Sequence, residues 1–321
     1  MLQGSERGLS ARIRISGRIG FLTVVCLIFP ALAESEDLAE LFVKAERGEV
    51  EAQARIGLIY AQGYGVARDY SEARRWLEMS AEKGNADAQF NLSSMYFNGI
   101  GVPKDYATAF TWLQKAADQN VIEAQFVLGT VYADGKGVER DATLAVIWYT
   151  AAAERGHTQA QFNLALLYYG GKGLPQDFTT AIRWFTEAAE KGIAEAQFVL
   201  GVMHARGQGI SKEFGVAFNW IQKAAENGYS KALEWIRNAA KQGNPLGQFS
   251  LGSIYYNGKG VTRDLGEALE WYRKAAEQGD ARAQFYLGLM YYDGEGVTQD
   301  YAEAFQWFRK AWYRDKGESE R

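Results

Sequence analysis

Four short constellations in this sequence have residue types and spacings that chemistry uses elsewhere. Ser80-Ala81-Glu82-Lys83 spells S-x-x-K, the nucleophile motif of serine β-lactamases and penicillin-binding proteins. His157 and His204 are the only two imidazoles, and with carboxylates they could ligate a metal. Gly135-Lys136-Gly137 sets a cation between two glycines, as phosphate loops do. Asp293-Gly294-Glu295-Gly296 offers closely spaced oxygens.

Each of these yields to its surroundings. No K-T-G or S-D-N occurs in the chain, and Ser80 fills a position that elsewhere holds Ala116, Ala152, Ala188, Ala224 and Ala275. That makes Ser80 a packing position and Lys83 a variable, exposed one. A phosphate loop needs a longer glycine frame between a strand and a helix, whereas Gly135-Lys136-Gly137 lies between two helical patterns. The run 293–296 has too few spaced oxygens for a calcium loop. His157 follows Gly156 in a turn, and His204 stands where other copies of the pattern carry a tyrosine. The sequence therefore predicts no catalytic residue, no metal and no cofactor.

What positions these residues is a period of 36. The stretch 123–158 returns across the chain as Ala-Gln, Leu-Gly, Tyr, Gly-x-Gly-Val, Asp, Ala-x-x-Trp and Ala-Ala-x-x-Gly. Seven copies begin at Glu51, Asp87, Glu123, Gln159, Glu195, Leu246 and Arg282. A strict period of this length is the mark of a solenoid, in which each unit buries its apolar face only against its neighbours. In the first copy Ala52, Ile56 and Tyr60 are four apart, one face of a helix A. Gly63-x-Gly65 then turns the chain, since glycine accepts positive φ. Asp69 starts helix B as its N-cap, with Glu72 three residues on as in a capping box; Asp264/Glu267 and Asp300/Glu303 repeat the arrangement. Ala73, Trp76 and Ala81 form the expected buried side of helix B, with the seven Trp as core. Gly84 stops it, and Asn120 does the same in the second copy. Gly57, Gly129, Gly201, Gly252 and Gly288 sit inside helix A, where a glycine costs about 1 kcal/mol against alanine. Close approach of a neighbouring helix would explain them.

These motifs resemble the Sel-one-like repeat family, a relative of the tetratricopeptide repeats, over residue 51 to about residue 316. The resemblance implies an all-α, right-handed superhelical solenoid of antiparallel helix pairs, with helix A lining a concave side. It also implies a role in protein–protein assembly or signalling, and for exported bacterial members regulation in the envelope or at a host. Two other readings stand beside it: a cell-wall or β-lactam-acting envelope protein, and a luminal adaptor of a secretory compartment.

Residues 1–33 read as a secretory signal peptide. Arg7, Arg12, Arg14 and Arg18 precede an apolar run, and Ala31-Leu32-Ala33 offers a cleavage site. The run is shorter than the ~20 residues of a membrane span, and export to a periplasm is expected. The only cysteine, Cys26, lies within it, so the remaining chain has no disulfide or thiolate chemistry. Removing Glu6 and the four arginines leaves 31 basic and 38 acidic residues, a formal charge of −7. That balance argues against nucleic acid or an anionic membrane surface as partner. Residues 34–50 read as a capping helix, 51–230 as repeats one to five, and 246–317 as repeats six and seven with a C-terminal cap that uses Trp312. A tail of 318–321 follows. Residues 231–245, KALEWIRNAAKQGNP, duplicate half of a helix B with no helix A, and should bend the stack where Asn244-Pro245 breaks it.

Because the repeated residues are packing and turn chemistry, recognition must sit where the copies differ. Three, nine and ten places after the leading Ala of helix A the motif is open. There stand Asn91, Asn163 and Tyr286, then Phe97, Tyr169, Tyr256 and Tyr292, then Asn98, Asn257 and Asp293. Asn can pair with a ligand backbone, and aromatic rings supply contact area. A groove of such residues suits an extended peptide or a helix of a protein partner.

Overall fold

The computed structural model describes residues 37–319 except residue 172, with side chains described as far as Trp312. The leader, 1–33, lies outside the described residues. Among these there are sixteen helices and no strand. Helix α1 (Leu38–Glu46) is the single helix expected ahead of the repeats. Seven A/B pairs follow: α2 (Val50–Gln62) with α3 (Tyr70–Glu82), α4 (Ala86–Asn98) with α5 (Tyr106–Asp118), and α6 (Ile122–Asp134) with α7 (Ala142–Glu154). Then come α8 (Thr158–Gly170) with α9 (Phe178–Glu190), and α10 (Ala194–Arg206) with α11 (Phe214–Glu226). The inserted helix is α12 (Ser230–Lys241). It is followed by α13 (Pro245–Asn257) with α14 (Leu265–Glu277) and α15 (Ala281–Asp293) with α16 (Tyr301–Ser319). The chain is an all-α repeat solenoid. Its helices form two compact units divided inside α7, after Trp148.

The A-to-B turn is held by hydrogen bonds in both directions at the N-cap. Gly63 closes α2 at φ 80° with its N–H on the Ile59 carbonyl, and Gly65 follows at φ 69°. The Asp69 carboxylate then accepts from the Ser71 and Glu72 N–H groups. Its own N–H donates 3.0 Å back to the Tyr60 carbonyl at the end of helix A. The same return bond runs from Asp105 to Tyr96, Asp264 to Tyr255 and Asp300 to Tyr291. This corrects the capping-box expectation. The N-cap N–H is already engaged by helix A, so the Glu side chains turn elsewhere. Glu72 accepts from Arg75, and Glu267 and Glu303 accept from the Trp271 and Trp307 indoles. Glu213, one methylene longer than Asp, keeps the return bond to His204 but makes no side-chain cap.

The tryptophans are a second correction. Trp76, Trp184 and Trp307 are buried, but Trp112, Trp148, Trp220 and Trp271 are only half-buried. Lysines three residues on lie over three of these rings, at 4.3 Å for Lys115 on Trp112, 4.5 Å for Lys223 on Trp220 and 4.2 Å for Lys274 on Trp271. The residue after the Trp goes deeper in the first six repeats, where Leu77, Leu113, Tyr149, Phe185, Ile221 and Tyr272 are all at most 2% exposed; in the last repeat Phe308 is half-buried. The helix A glycines receive these side chains. A Cβ on Gly57 would stand 2.7 Å from Leu77 Cγ, and one on Gly252 2.7 Å from Tyr272 Cδ1.

The inserted helix joins one core rather than interrupting it. Ile236 and Ala240 of α12 share a buried cluster with Ile221 and Ala224 of α11 and Leu251 and Ile254 of α13. Pro245 does not break a helix here. It opens α13 at its first turn, behind an Asn244 side chain that accepts from Gly247 N–H.

The Gln of the Ala-Gln signature is a clamp between repeats. Gln89, 4% exposed, donates to the Ala81 carbonyl of the preceding helix B at 3.0 Å and accepts from Gln119 at the end of its own helix B at 2.8 Å. Gln53, Gln161, Gln197 and Gln248 make the same pair of bonds eight residues back and 30 ahead. We expect Gln89→Leu to lower the stability of the first unit by about 2 kcal/mol, two partly buried hydrogen bonds being lost at about 1 kcal/mol each. Chemical denaturation checks this; an unchanged midpoint would show that the clamp carries no net stability.

Candidate functional site

The structure places three of the four chemistry-like constellations in structural work. Ser80 is fully buried, and its hydroxyl donates to the Val50 carbonyl at 2.7 Å. Lys83 Nζ donates to the Gly48 carbonyl at 2.9 Å and to Gln53 Oε1 at 3.2 Å. The pair ties helix B of repeat one to the start of its helix A and presents no free nucleophile. His157 is the N-cap of α8, its Nδ1 accepting from Ala160 N–H at 3.0 Å. His204 is buried in place of the tyrosine, 8% exposed. Among the described residues no three His, Asp or Glu side chains cluster as metal ligands. Lys136 lies over the Tyr106 ring at 5.8 Å.

The ten open positions of helix A do not share one fate. In the first unit Asn91 is 6% exposed, and its amide returns to the Asp87 carbonyl one turn back at 2.8 Å. Phe97 is 3% exposed, its ring 5.7 Å from that of Tyr106. Neither offers surface to a ligand in this conformation. Asn98 is half-buried at the end of α4, with its amide on the Ser94 carbonyl.

In the second unit Asn163 is half-buried between Gln159 and the Tyr149 hydroxyl. Tyr169 packs on Phe178 and Phe185 and donates to Gln208 Oε1. Tyr286 stacks on Tyr272, their centroids 5.4 Å apart. The accessible residues are the last two of α13 and the corresponding two of α15. Asn257 and Asp293 are exposed, Tyr292 is 51% exposed, and Tyr256 is half-buried.

These two steps are joined by residues that the sequence pattern did not single out. Tyr256 donates its phenol proton to Glu295 Oε2 at 2.6 Å. Arg263 holds the other oxygen of Glu295 at 3.1 Å and the Tyr256 carbonyl at 2.9 Å. The phenol is pushed up to about 12, chiefly by that hydrogen bond and also by burial and the Glu295 charge. The same bond, with Arg263 adding to it, holds the Glu295 carboxyl below its ordinary value. Gln208 and Glu295 are each the middle residue of a Gly-x-Gly turn, 39 residues after their tyrosine. A polar residue at that place, opposite a Tyr nine after the leading Ala, is the signal that could have found them. The result is a fixed surface of a phenol, a carboxylate, a guanidinium and an exposed ring and amide. It can donate, accept and stack.

The sequence profile of the Sel1 repeat matches residues 50–85, 86–121, 122–157, 158–193, 194–229, 229–244, 245–280 and 281–311. The short sixth match falls on α12, the inserted helix. A solved Sel1 repeat protein from Oxalobacter formigenes is 35% identical over 88% of this chain and 79% of its own, with a TM-score of 0.54. A protective antigen of uropathogenic Escherichia coli with an SLR fold is 32% identical over 84% of this chain and 78% of its own, with a TM-score of 0.40. No curated protein matches the chain. The repeat profile covers nearly all the described residues, and the Oxalobacter formigenes relative is 35% identical over most of both chains: the chain belongs to the Sel1 repeat family.

Proposed function

We propose that this chain is a non-enzymatic scaffold of the bacterial envelope that holds a protein or peptide partner against the helix A side of its repeats. Membership of the Sel1 repeat family supports protein–protein interaction as its role. The leader-like residues 1–33 support export to the periplasm. No helix among the described residues is long and apolar enough to cross a membrane. The observation that carries the reading is the pair of Tyr-polar steps, Tyr256-Asn257 and Tyr292-Asp293. They keep an exposed ring, amide and carboxylate, whereas Asn91 and Phe97 are lost to packing. A peptide backbone running past both steps would meet an acceptor, an amide and two rings in order.

The test uses the full chain in its source cells, with a photo-crosslinking residue at position 257 or, as control, at the exposed Glu187 of helix B. The expected outcome is a discrete crosslinked species in the periplasmic fraction from position 257 only. Tyr292→Ala should reduce it about tenfold, the size of a modest hot spot. Equal crosslinking from both positions, or a chain retained in the cytosol, would sink the proposal.

A further inference from the structure

Among the described residues, the last repeat leaves open a surface that its counterparts inside each unit cover. Inside each unit a helix B packs against the helix A that follows it: α3 on α4, α5 on α6, α9 on α10 and α14 on α15. Helix α16 has no following helix A among the described residues. The consequence is visible at matching positions. The aromatic residue after Ala-Gln is buried as Phe90, Phe162, Phe198 and Phe249, at 9% exposure or less, but Phe285 is 48% exposed. On helix B, Phe218 is 3% exposed and its counterpart Phe305 is 67% exposed. Trp312, which the sequence offered as a closing cap, is itself 63% exposed. Between α15 and α16 lies a cleft of about 590 Å³, lined by Ala281, Phe285, Phe308, Ala311 and Trp312 with Arg282 at its edge. An apolar surface of this kind marks an interaction site.

What fits there is legible from the junctions inside the chain. Three of these four junctions are filled by a helix with an acidic first turn, then Ala-Gln-Phe, and Leu beside a small residue: α4, α6 and α10. The first-turn acids of successive repeats lie close enough to repel: Glu51 and Glu123 both add to the upward shift of the Asp87 carboxyl, which burial begins. In the last repeat this position is Arg282, a cation held by its neighbour Asp280 at 2.8 Å and lying over the Phe249 ring at 4.2 Å. An incoming helix that begins with an acid would meet attraction where the internal repeats meet repulsion.

We propose that the face formed by α15 and α16 docks an amphipathic helix of a partner protein that reproduces the helix A pattern and brings an acidic first turn to Arg282. The partner continues the repeat stack by one helix. This surface shares no residue with the Tyr-polar steps at the ends of α13 and α15, so the two sites can fail separately.

The probe is a synthetic peptide of residues 194–206, AEAQFVLGVMHAR, acetylated, amidated and fluorescently labelled, titrated with the full chain by anisotropy. Saturable binding is expected. Phe285→Ser should weaken it about tenfold or more with unchanged circular dichroism, the effect of removing one buried aromatic anchor. Arg282→Glu should weaken it less, and a peptide carrying Glu195→Arg should then recover the affinity. Absence of saturable binding overturns the proposal, as does equal binding by Phe285→Ser. So does sedimentation showing a dimer that Phe285→Ser abolishes, which would make a second copy the occupant.

Discussion

Gly201→Ala is expected to lower the stability of the second unit by about 1 kcal/mol net, while Gly215→Ala, on the neighbouring helix, is expected to raise it. In a helix interior the exchange of glycine for alanine is favourable by about 1 kcal/mol, because alanine loses less backbone freedom on folding. At Gly215 of α11 nothing lies within 4 Å of the added Cβ, so that gain stands. At Gly201 of α10 the Cβ would come 2.5 Å from Ile221 Cγ1 and 2.8 Å from the Ala217 carbonyl oxygen. Ile221 is fully buried and cannot turn away, and the carbonyl belongs to the backbone of α11. Relief requires the two helices to part, and overpacking of this kind costs about 1–3 kcal/mol and sometimes more. The cost exceeds the gain, so the sign reverses between two glycines only 14 residues apart. Urea denaturation of the two variants beside the parent reads this directly. A higher midpoint for Gly201→Ala would falsify the close-approach account of the helix A glycines.

The same contrast shows what the sequence could and could not reveal. The 36-residue period exposed the helix pairs, their turns and their N-caps because these depend on residue types with narrow uses: Gly where φ is positive, Asp at a helix start. It also marked Gly57, Gly201, Gly252 and Gly288 as costly and therefore in need of a neighbour. It did not reveal which side chain that neighbour was. The residue after the Trp varies among Leu, Tyr, Phe and Ile, so it reads as an open position while being the deeper of the pair in the first six repeats. The Trp, constant from copy to copy, drew attention to a residue whose outer face lies under a lysine. The site was legible only in part for a related reason. Spacing puts Asn91 and Asn257, three and ten places after the leading residue, on one face of helix A, yet Asn91 is a packed residue bonded to its own helix and Asn257 is exposed. Short amides choose between backbone and solvent by local crowding, which a one-letter pattern does not carry. The partner of Tyr256 lies 39 residues on, in a turn whose middle residue the motif leaves free. Only the fold brings the two together.

Leu113→Ala should therefore destabilise the first unit more than Trp112→Ala, although tryptophan is the larger residue. Leu113 is fully buried, in one cluster with Phe90, Phe97, Ala124 and Leu128. Its truncation removes several methylene equivalents from that cluster and leaves a cavity on which two repeats converge. Such changes cost about 2–5 kcal/mol. Trp112 is half-buried, and Lys115 covers the outer face of its ring at 4.3 Å. Truncation there gives up part of the apolar area at about 25 cal/mol per Å² and a cation–π contact worth about 0.5–1 kcal/mol at an exposed site. Solvent fills the vacated space, so no cavity term is added. The loss at Trp112 is accordingly about 1–2 kcal/mol on the same scale. A solenoid unfolds by neighbouring repeats and not always in one step, so the comparison is best made by native-state hydrogen exchange of the amides of α5 and α6. Leu113→Ala should remove protection from both helices, because its side chain closes the junction between repeats two and three. Trp112→Ala should leave α6 protected. If protection falls equally in the two variants, the tryptophan is a core residue after all, and the ranking of helix B positions by depth is wrong.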